Sequence, residues 1–488
     1  MRARLTLTLG LLLALACNTS GGTKGSGQRR LIPDEPWRQA RPPSGPVPAL
    51  KLPLAQKLEL RNGLAVVLVE DHSLPLVSAR VVVRVGTAQE SARDAGLAQL
   101  TWDLVDEGAG GMNQLALANA FARIGSEPRT SCELESGAVE LVLHKKHVET
   151  GLKLLAAVVT RPTFATPDFE RARAQAVARV KERQSDPGAV ADSLTHALVY
   201  GSEHAYGHDG TGAPDTLSKL SALKVKAFWS TWATPKNAVL ILSGDLTPDE
   251  AKALAQKSFG AWAGTPKAPK AAPEPSARSV ITVAVVDAPG APQASVRIAR
   301  DGLSVADADL PAMLVLNDIF AGTFSSRLNL KLREEKHWTF GATSQQEAAL
   351  GRGLWLTRTE VQTDAAASAV AEALGVLESL KAGVTDDELV RAKDGFVRGL
   401  PGLLGAGAEQ TRALGAALAL GLGPDRYEKL AAAVQAVTLD DVKRVAEKVI
   451  VKDDLVIVLV GDRNALLPKL KEGGLPDALL FGKDGFPE

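Results

Sequence analysis

The chain has 488 residues, 45% of them hydrophobic and only 4% aromatic, so it is long enough for more than one domain and its cores must be built mainly from Ala, Val and Leu. Lysine plus arginine and aspartate plus glutamate number 56 each. This balance excludes the strongly basic composition that is typical of nucleic-acid binding, and we expect no nucleic acid among the partners.

The N-terminus resembles an export signal. Residues 1–17 read MRARLTLTLGLLLALAC, in which Arg2 and Arg4 precede an apolar run of signal-peptide length that ends at Cys17. This pattern predicts a bacterial lipoprotein signal with lipidation at Cys17, followed by a flexible tether over 18–45 that holds the protein near a membrane. An ordinary cleaved signal with an incidental cysteine is the alternative. We expect the periplasmic side of the bacterial cell envelope, with the outer membrane favoured over the inner one.

The rest of the chain contains an internal repeat. The strand NAVLILSGD contains Gly244, and LVIVLVGD near the C-terminus contains Gly461. The strand LAVVLVED ends on Asp71 and ITVAVVD ends on Asp287, and this interval is only one residue shorter than the interval between the two glycines. Two markers with almost the same offset predict two homologous halves, 46–265 and 279–488, joined by a Pro/Ala/Lys-rich linker over 266–278.

Strand-like and helix-like segments are mixed within each half. Runs such as VSARVVVRVG and SVRIAR are β-branched, whereas FERARAQAVARVKERQ and AASAVAEALGVLESLKAG have a helical period. There is no regular βαβ cadence and no glycine fingerprint of a dinucleotide site. We predict an α+β fold in which each half is a two-layer α/β sandwich. The Ala/Leu-rich stretch 411–427 is interrupted by charge and is interpreted as a buried helix, not a membrane span.

Six segments in the same order resemble the pitrilysin/insulinase family of zinc peptidases, in its mitochondrial-processing-peptidase-like branch. They are RNGLAVVLVEDHSLP, VGTAQESARDAGLAQL, VYGSEHAYG, NAVLILSGD, DAPGAPQASVRIA and FAGTFSSRLNLKLREEKHWTFGATS. The resemblance implies two halves arranged as a clam shell that encloses an extended peptide, often within a heterodimer of one active and one inactive chain.

The family binds zinc through an inverted motif, H-x-x-E-H, on the helix that follows G-L-A, with a Glu further along as the third protein ligand. Carried over from Gly96-Leu97-Ala98, the first His position holds Gln99, the general-base position holds Trp102 and the second His position holds Asp103. Counted onward from Asp103 by the family's spacing, the third-ligand position holds Arg179. Gln is a poor zinc ligand, Trp cannot act as a base, and a guanidinium repels a metal ion. The resemblance therefore implies a non-catalytic member without a cofactor, and zinc is expected only in an active partner chain.

The chain's histidines offer little to rebuild a metal site. The seven are His72, His144, His147, His196, His204, His208 and His337. His144 and His147 lie close together in LHKKHVE, which we interpret as a basic turn between a strand and a helix, and His204 and His208 flank a glycine-containing turn. We predict no metal site in this chain.

The second half keeps more of the family pattern. In the family, an Arg and a Tyr in the segment after F-S-S-R-L hold the bound peptide, and the corresponding residues are Arg333 and Phe340. The loop that contains Gly322, Phe324 and Ser325 corresponds to a substrate-contacting loop of inactive subunits. The resemblance thus implies peptide contacts at these five residues. A solvated helix face on which Arg333 pairs with a neighbouring glutamate remains the alternative.

Three functional hypotheses follow from the sequence. In the first, the chain is a peptide-binding or regulatory subunit that pairs with an active homologous zinc peptidase and handles peptide or unfolded polypeptide. In the second, it is a homodimeric structural scaffold of the envelope that does not handle peptides. In the third, it is an active zinc endopeptidase with atypical ligands.

Overall fold

The computed structural model describes Gly45 and residues 54–265, 272–405 and 407–488. The predicted signal sequence, Cys17 and the tether before Gly45 lie outside these residues, as do 46–53 of the predicted first half and 266–271 of the predicted linker. Of the helices in the described ranges, none is long and apolar enough to cross a membrane.

Short β-branched and apolar runs form the strands, since such side chains pack well on a pleated sheet. The first group is β1 (Ala55–Glu59), β2 (Ala65–Glu70), β3 (Leu76–Val83), β4 (Gly108–Ala109), β5 (Met112–Asn113), β6 (Arg129–Cys132), β7 (Gly137–His144) and β8 (Ala238–Gly244). The second group is β9 (Thr282–Asp287), β10 (Gln293–Asp301), β11 (Thr339–Gln346), β12 (Leu354–Gln362), β13 (Val456–Gly461) and β14 (Leu479–Phe481).

The two six-stranded sheets repeat one strand order. The first is β1-β2-β8-β3-β7-β6, and the second, read in the matching direction, is β14-β9-β13-β10-β12-β11. β2 pairs in parallel with β8, and β9 pairs in parallel with β13. Glu70 lies opposite Gly244, and Asp287 lies opposite Gly461. The residue equivalent to Asp287 is therefore Glu70 and not Asp71, so the offset between the halves is identical at both markers.

The helices lie between and around these strands. Those of the first half are α1 (Leu97–Leu104), α2 (Gln114–Ala122), α3 (Val148–Thr160), α4 (Thr166–Arg183), α5 (Pro187–Tyr200), α6 (Pro214–Ser218), α7 (Ala222–Trp232) and α8 (Pro248–Phe259). Those of the second half are α9 (Leu310–Asn317), α10 (Arg327–Asn329), α11 (Ala366–Lys381), α12 (Asp386–Leu404), α13 (Gly407–Ala419), α14 (Arg426–Ala436), α15 (Leu439–Val449) and α16 (Arg463–Glu472).

Each sheet is covered on both faces, but by helices of different origin. Alternate residues of β2 show this: Val66 and Leu68 face the core that contains α1, α3, α7 and α8, whereas Val67 and Val69 face α13 of the second half. In the same way, α5 of the first half packs on β10 and β13 of the second sheet. The predicted α+β fold with two halves is confirmed. Each half alone has two layers, and the exchanged helix adds a third.

The helix exchange holds the halves together. The described residues from 54 onward form one compact unit. The Ala/Leu-rich stretch predicted as a buried helix supplies α13, which ends at Ala419, and its Leu414 and Leu418 pack on the first sheet. Apolar surface buried between the halves in this way favours one cooperative structure.

An arginine with little solvent exposure lies beneath each exchanged helix. Arg80 on β3 donates to Glu140 at 2.6 Å, and Arg412 of α13 binds the same carboxylate. In the second sheet, Arg297 on β10 donates to Asp192 of α5 at 2.5 Å. Each sheet is thus tied by charge-assisted hydrogen bonds to a helix of the opposite half.

Candidate functional site

Helix α1 carries the residues that correspond to the family's zinc motif. It starts after Gly96, whose φ of 94° suits glycine. The carboxylate of Glu90 accepts hydrogen bonds from the amides of Gly96 at 3.0 Å and Ala98 at 2.6 Å, which satisfies donors at the helix N-terminus. The helix is buried except at Gln99 and Asp103, which are partly exposed. Only these two side chains of α1 reach solvent.

Trp102, at the family's general-base position, belongs to the core. It is 1% exposed, and its indole nitrogen donates to the carbonyl of Val85 at 3.1 Å. Its ring meets that of Trp229 edge-on, with 5.0 Å between centroids. Gly137 makes room for it, because a Cβ there would lie 2.1 Å from a ring carbon of Trp102. This side chain stabilises the packing of α1 and has no group that could take a proton.

Asp103 and Arg179 lie together, as the spacing of the family's ligands predicts. The amide nitrogen of Gln99 donates to Asp103 Oδ1 at 2.8 Å, and Nη2 of Arg179 donates to Asp103 Oδ2. Asp103 is 23% exposed at its side chain and Arg179 is 50% exposed. Two of the three ligand positions thus form an ion pair between α1 and α4, and the third supports it with an amide.

These residues do not fit a zinc ion. A zinc site needs neutral imidazoles, thiolates or carboxylates around the metal, whereas Arg179 brings a permanent positive charge to the place where the cation would lie. Both oxygens of Asp103 already accept hydrogen bonds. In the described ranges, no group of three or more His, Cys, Asp or Glu side chains is arranged to hold a metal ion.

A second polar pair under α1 was not predicted from the sequence. His208 Nδ1 lies 3.0 Å from the carbonyl oxygen of His204 and must donate to it, so Nε2 points at Glu90, 3.4 Å away. Both side chains are buried, and a neutral Nε2 would face the carboxylate with a lone pair. Burial raises the pKa of Glu90, and for His208 the pull of Glu90 outweighs burial and raises the pKa of the imidazole. Both shifts favour a proton on the pair, and a proton on Nε2 of His208 would be directed at Glu90.

The other histidines do not gather into one site. His72 contacts Asp245 at 2.7 Å, and His196 lies near the carbonyl of Tyr206 at 3.2 Å. His144 ends β7, and His147 lies in a short turn that leads into α3, as the sequence predicts.

In the second half, two of the residues that the resemblance implies as peptide contacts, Arg333 and Phe324, form one exposed cluster. The guanidinium of Arg333 lies over the ring of Phe324, 4.7 Å from its centroid. Phe324 is 69% exposed and Phe340 is 89% exposed. Arg333 also contacts Glu334 at 3.4 Å, so the pairing with a neighbouring glutamate and the aromatic contact occur together. The cluster presents an aromatic ring and a cation to solvent, and Phe340 exposes a second ring.

The loop that carries Phe324 is fixed to the sheet. The buried side chain of Asn329 donates to the carbonyls of Thr323 at 2.9 Å and Ala342 at 2.8 Å. Gly322 lies against the carboxylate of Asp318, and Ser325 lies 3.4 Å from the hydroxyl of Thr323. The backbone on both sides of this loop, 318–322 and 330–335, is wound as π-helical turns, which often mark functional segments. Gly322 and Ser325 position the loop, whereas Phe324 extends from it.

Two family models match this chain. The model described as Insulinase (Peptidase family M16) matches residues 65–208, and the model described as Peptidase M16 inactive domain matches residues 219–396. The chain belongs to the insulinase family, peptidase family M16. The first match contains α1 and α4 with the replaced zinc ligands, and the second contains the Arg333 cluster.

Relatives of this M16 chain include proteins with different descriptions. The beta subunit of the mitochondrial-processing peptidase of Blastocladiella emersonii is 24% identical, covering 86% of this chain and 91% of that protein. An uncharacterized zinc protease of Bacillus subtilis is 21% identical, covering 70% of this chain and 82% of that protein.

Solved structures show the same fold. A peptidase M16 inactive domain from Pseudomonas fluorescens has a TM-score of 0.77 and 26% identity, covering 84% of this chain and 98% of that chain. A chain of complex III2 from Candida albicans has a TM-score of 0.71 and 16% identity, covering 86% of this chain and 99% of that chain. At that identity, the second likeness concerns the fold alone.

A cavity beside the C-terminal end of α1 is another feature of this M16 chain that the sequence analysis missed. It has a volume of about 570 Å³, an apolar wall formed by Leu117 and Phe121, and acidic groups at Asp106, Glu107 and Glu127. Burial and the neighbouring carboxylates raise the pKa of Asp106 to about 6. No local sequence pattern predicts this cavity, because its residues come from the segment after α1, from α2 and from the loop before β6.

Proposed function

We propose that this chain is a non-catalytic M16 subunit that binds polypeptide and assists an active homologous zinc peptidase. The observation that carries the proposal is the replacement of the metal site by the Gln99–Asp103–Arg179 group, together with the burial of Trp102. A chain with this group can hold a substrate but has neither a metal-bound water nor a base to attack a peptide bond.

The retained scaffold supports polypeptide binding. β6 is an edge strand of the first sheet and packs beside α1, and no strand pairs with its outer edge in the described part of the chain. An extended polypeptide can add to such an edge through main-chain hydrogen bonds. The exposed cluster of Arg333 and Phe324 and the exposed ring of Phe340 would supply side-chain contacts.

A heterodimer is the proposed assembly. One relative is named as a subunit of a mitochondrial-processing peptidase, and one structural neighbour is a chain of complex III2. Those descriptions favour a multichain context for this M16 chain, and an intact zinc motif in the partner would provide the cofactor that this chain lacks.

The proposed location is the periplasmic side of the bacterial envelope, with a lipid anchor at Cys17. It rests on the sequence of residues 1–17, which predicts a lipoprotein signal. Mass spectrometry of the mature N-terminus would test it: a diacylated or triacylated cysteine is expected, and an unmodified N-terminus would overturn the anchor.

The test is to isolate the tagged chain from its native envelope, identify the protein bound to it, and measure peptide cleavage and zinc for each chain and for the complex. We expect one zinc per pair and cleavage only by the pair. Zinc bound by this chain with cleavage that a chelator abolishes would instead establish an active peptidase with atypical ligands.

A variant of the exposed cluster separates a subunit that handles peptides from a structural one. Arg333→Ala should leave the complex assembled but reduce its cleavage of peptides, whereas Arg391→Ala, at an exposed pair with Asp387 on α12, should change neither. A structural scaffold is the second candidate, since the ion pair of Asp103 and Arg179 joins α1 to α4 and so stabilises the fold. A homo-oligomer that is free of zinc and binds no polypeptide would establish that scaffold role.

A further inference from the structure

The ion pair that replaces the zinc site leaves a defined set of hydrogen-bonding groups unused. A carboxylate can only accept hydrogen bonds, so the Gln99 group that faces Asp103 Oδ1 at 2.8 Å must be the amide nitrogen. The carbonyl oxygen of Gln99 therefore points elsewhere. Within the described part of the chain, that oxygen has no hydrogen-bond partner.

Arg179 has N–H donors that remain available to a ligand. A guanidinium carries five N–H donors in a fixed plane, and among the described residues only Nη2 of Arg179 is bonded, to Asp103. Its side chain is 50% exposed, so the remaining donors are accessible. Because Asp103 holds one edge of the guanidinium in place, the other edge can bind a ligand with little further loss of side-chain entropy.

The charge around these groups favours a neutral ligand. Asp103 and Arg179 cancel one another, and Asp106, which lies near Asp103, disfavours an added carboxylate or phosphate. A peptide unit is neutral and carries one acceptor and one donor, which complement the N–H groups of Arg179 and the carbonyl oxygen of Gln99.

We propose that Gln99 and Arg179 form a peptide-group binding site, in which Arg179 donates to a carbonyl oxygen of a bound polypeptide and Gln99 accepts from a backbone N–H. The proposal rests on the proposed function, since it assigns the polypeptide contact at the replaced metal site. The site binds the backbone and so accepts polypeptides of varied sequence. α1 lies beside the free edge of β6, and a chain paired with that strand would pass the site in extended form.

The experiment measures binding of a fluorescein-labelled mixture of random-sequence peptides to the full chain by fluorescence anisotropy. Arg179→Gln should weaken binding about tenfold, because a charge-assisted hydrogen bond to the ligand is lost. Lys181→Gln, which removes the same charge from an exposed position of α4, should leave the affinity within about twofold of the wild type. Arg179→Lys keeps the charge without the planar fork and should bind less tightly than the wild type.

A second arm tests the acceptor. Peptides with N-methylated backbone amides should bind the wild type more weakly, and this loss should shrink for Gln99→Ala, which has no acceptor to lose. Equal binding by the wild type and Arg179→Gln, at unchanged melting temperature, would overturn the site but leave a polypeptide-binding subunit intact. No binding by the wild type would overturn the proposed function itself. If Arg179→Gln is unstable, the same binding measurements are made with Gln99→Ala and Arg179→Lys instead.

Discussion

Replacing Trp102 by Ala tests whether the residue at the family's general-base position now serves the core. The ring is 1% exposed, meets Trp229 at 5.0 Å between centroids and hydrogen-bonds to Val85 at 3.1 Å. Truncation of a buried Trp costs about 3–5 kcal/mol in the free energy of unfolding, since a cavity remains. It also leaves the carbonyl of Val85 without its donor.

Gly137 provides the partner for a double-mutant cycle. A Cβ at this position would lie 2.1, 2.3 and 2.5 Å from three atoms of the Trp102 ring, so Gly137→Ala forces the ring or the strand to move. Overpacking of this kind costs about 1–3 kcal/mol. In the Trp102→Ala background the ring is absent, and the new methyl group would fill part of the cavity. The double variant should therefore be more stable than the sum of the single effects predicts, by about 1–3 kcal/mol.

The assay is urea unfolding followed by far-ultraviolet circular dichroism for the wild type, both single variants and the double variant. Gly395→Ala is the matched control, because a Cβ at this helical position meets nothing within 4 Å, and it should stabilise α12 by about 0.5–1 kcal/mol. The reasoning fails if Trp102→Ala costs less than about 1 kcal/mol or if the two substitutions add without coupling, since either result would place the ring outside the core.

Three further predictions address the proton, the buried charges and the metal. Because the pKa of His208 is raised, the stabilisation from its proton is fully present below the ordinary histidine pKa of 6.5 and is lost as pH rises through the raised value. The melting temperature should therefore fall over that pH range in the wild type but not in His208→Gln. Asp209 also raises this pKa, and equal pH profiles of the two proteins would refute the pairing of His208 with Glu90. Arg297→Ala removes a buried guanidinium that binds Asp192 and Glu360, and it should cost about 1–3 kcal/mol by urea unfolding, because Asp192 keeps its contact with Arg358 and both carboxylates are partly exposed. Arg444→Ala, whose exposed guanidinium pairs with Asp309, should cost less than about 1 kcal/mol. Similar losses would contradict the account of the exchanged helices. Adding zinc or a chelator to the isolated chain should leave its melting temperature unchanged, because a ligand stabilises only a protein that binds it; a rise with zinc would mean that a metal site exists.

The sequence predicts what depends on local pattern and on repetition. Short apolar, β-branched runs such as the one that ends at Glu70 identify strands that are buried on both faces, and the Gly-Asp pair that ends a strand in each half reveals the repeat. The marker at Asp71 was one residue out because the last strand residue, not the acid that follows, occupies the equivalent position. Strand pairing resolves such a shift and composition does not.

The sequence could not predict which helix covers which sheet. α13 is recognisably apolar, but its packing on the first sheet depends on contacts with strands that are distant along the chain, such as the hydrogen bond of 2.6 Å between Gln410 and Ser243. The pair of Glu90 and His208 is hidden for the same reason. Glu90 lies in one of the six family-like segments and His208 directly follows another, but the segments assign neither residue a role, and only the fold brings the imidazole against the carboxylate. Arg179, by contrast, was reached from the family's ligand spacing.

The replacements at the zinc site compensate one another, and this favours a retained task over simple loss. Arg179 alone would bring an unpaired cation to the face of α1, and Asp103 alone would add a charge to a region that already holds Asp106. Together they form an ion pair that joins α1 to α4, as a shared metal ion would, and Gln99 completes the hydrogen bonds of the carboxylate. The same arrangement leaves the acceptor of Gln99 and several donors of Arg179 exposed, as a binding site for polypeptide requires. If peptide binding at Gln99 and Arg179 depends on Asp103, Asp103→Asn should lower affinity although that residue makes no contact with the ligand.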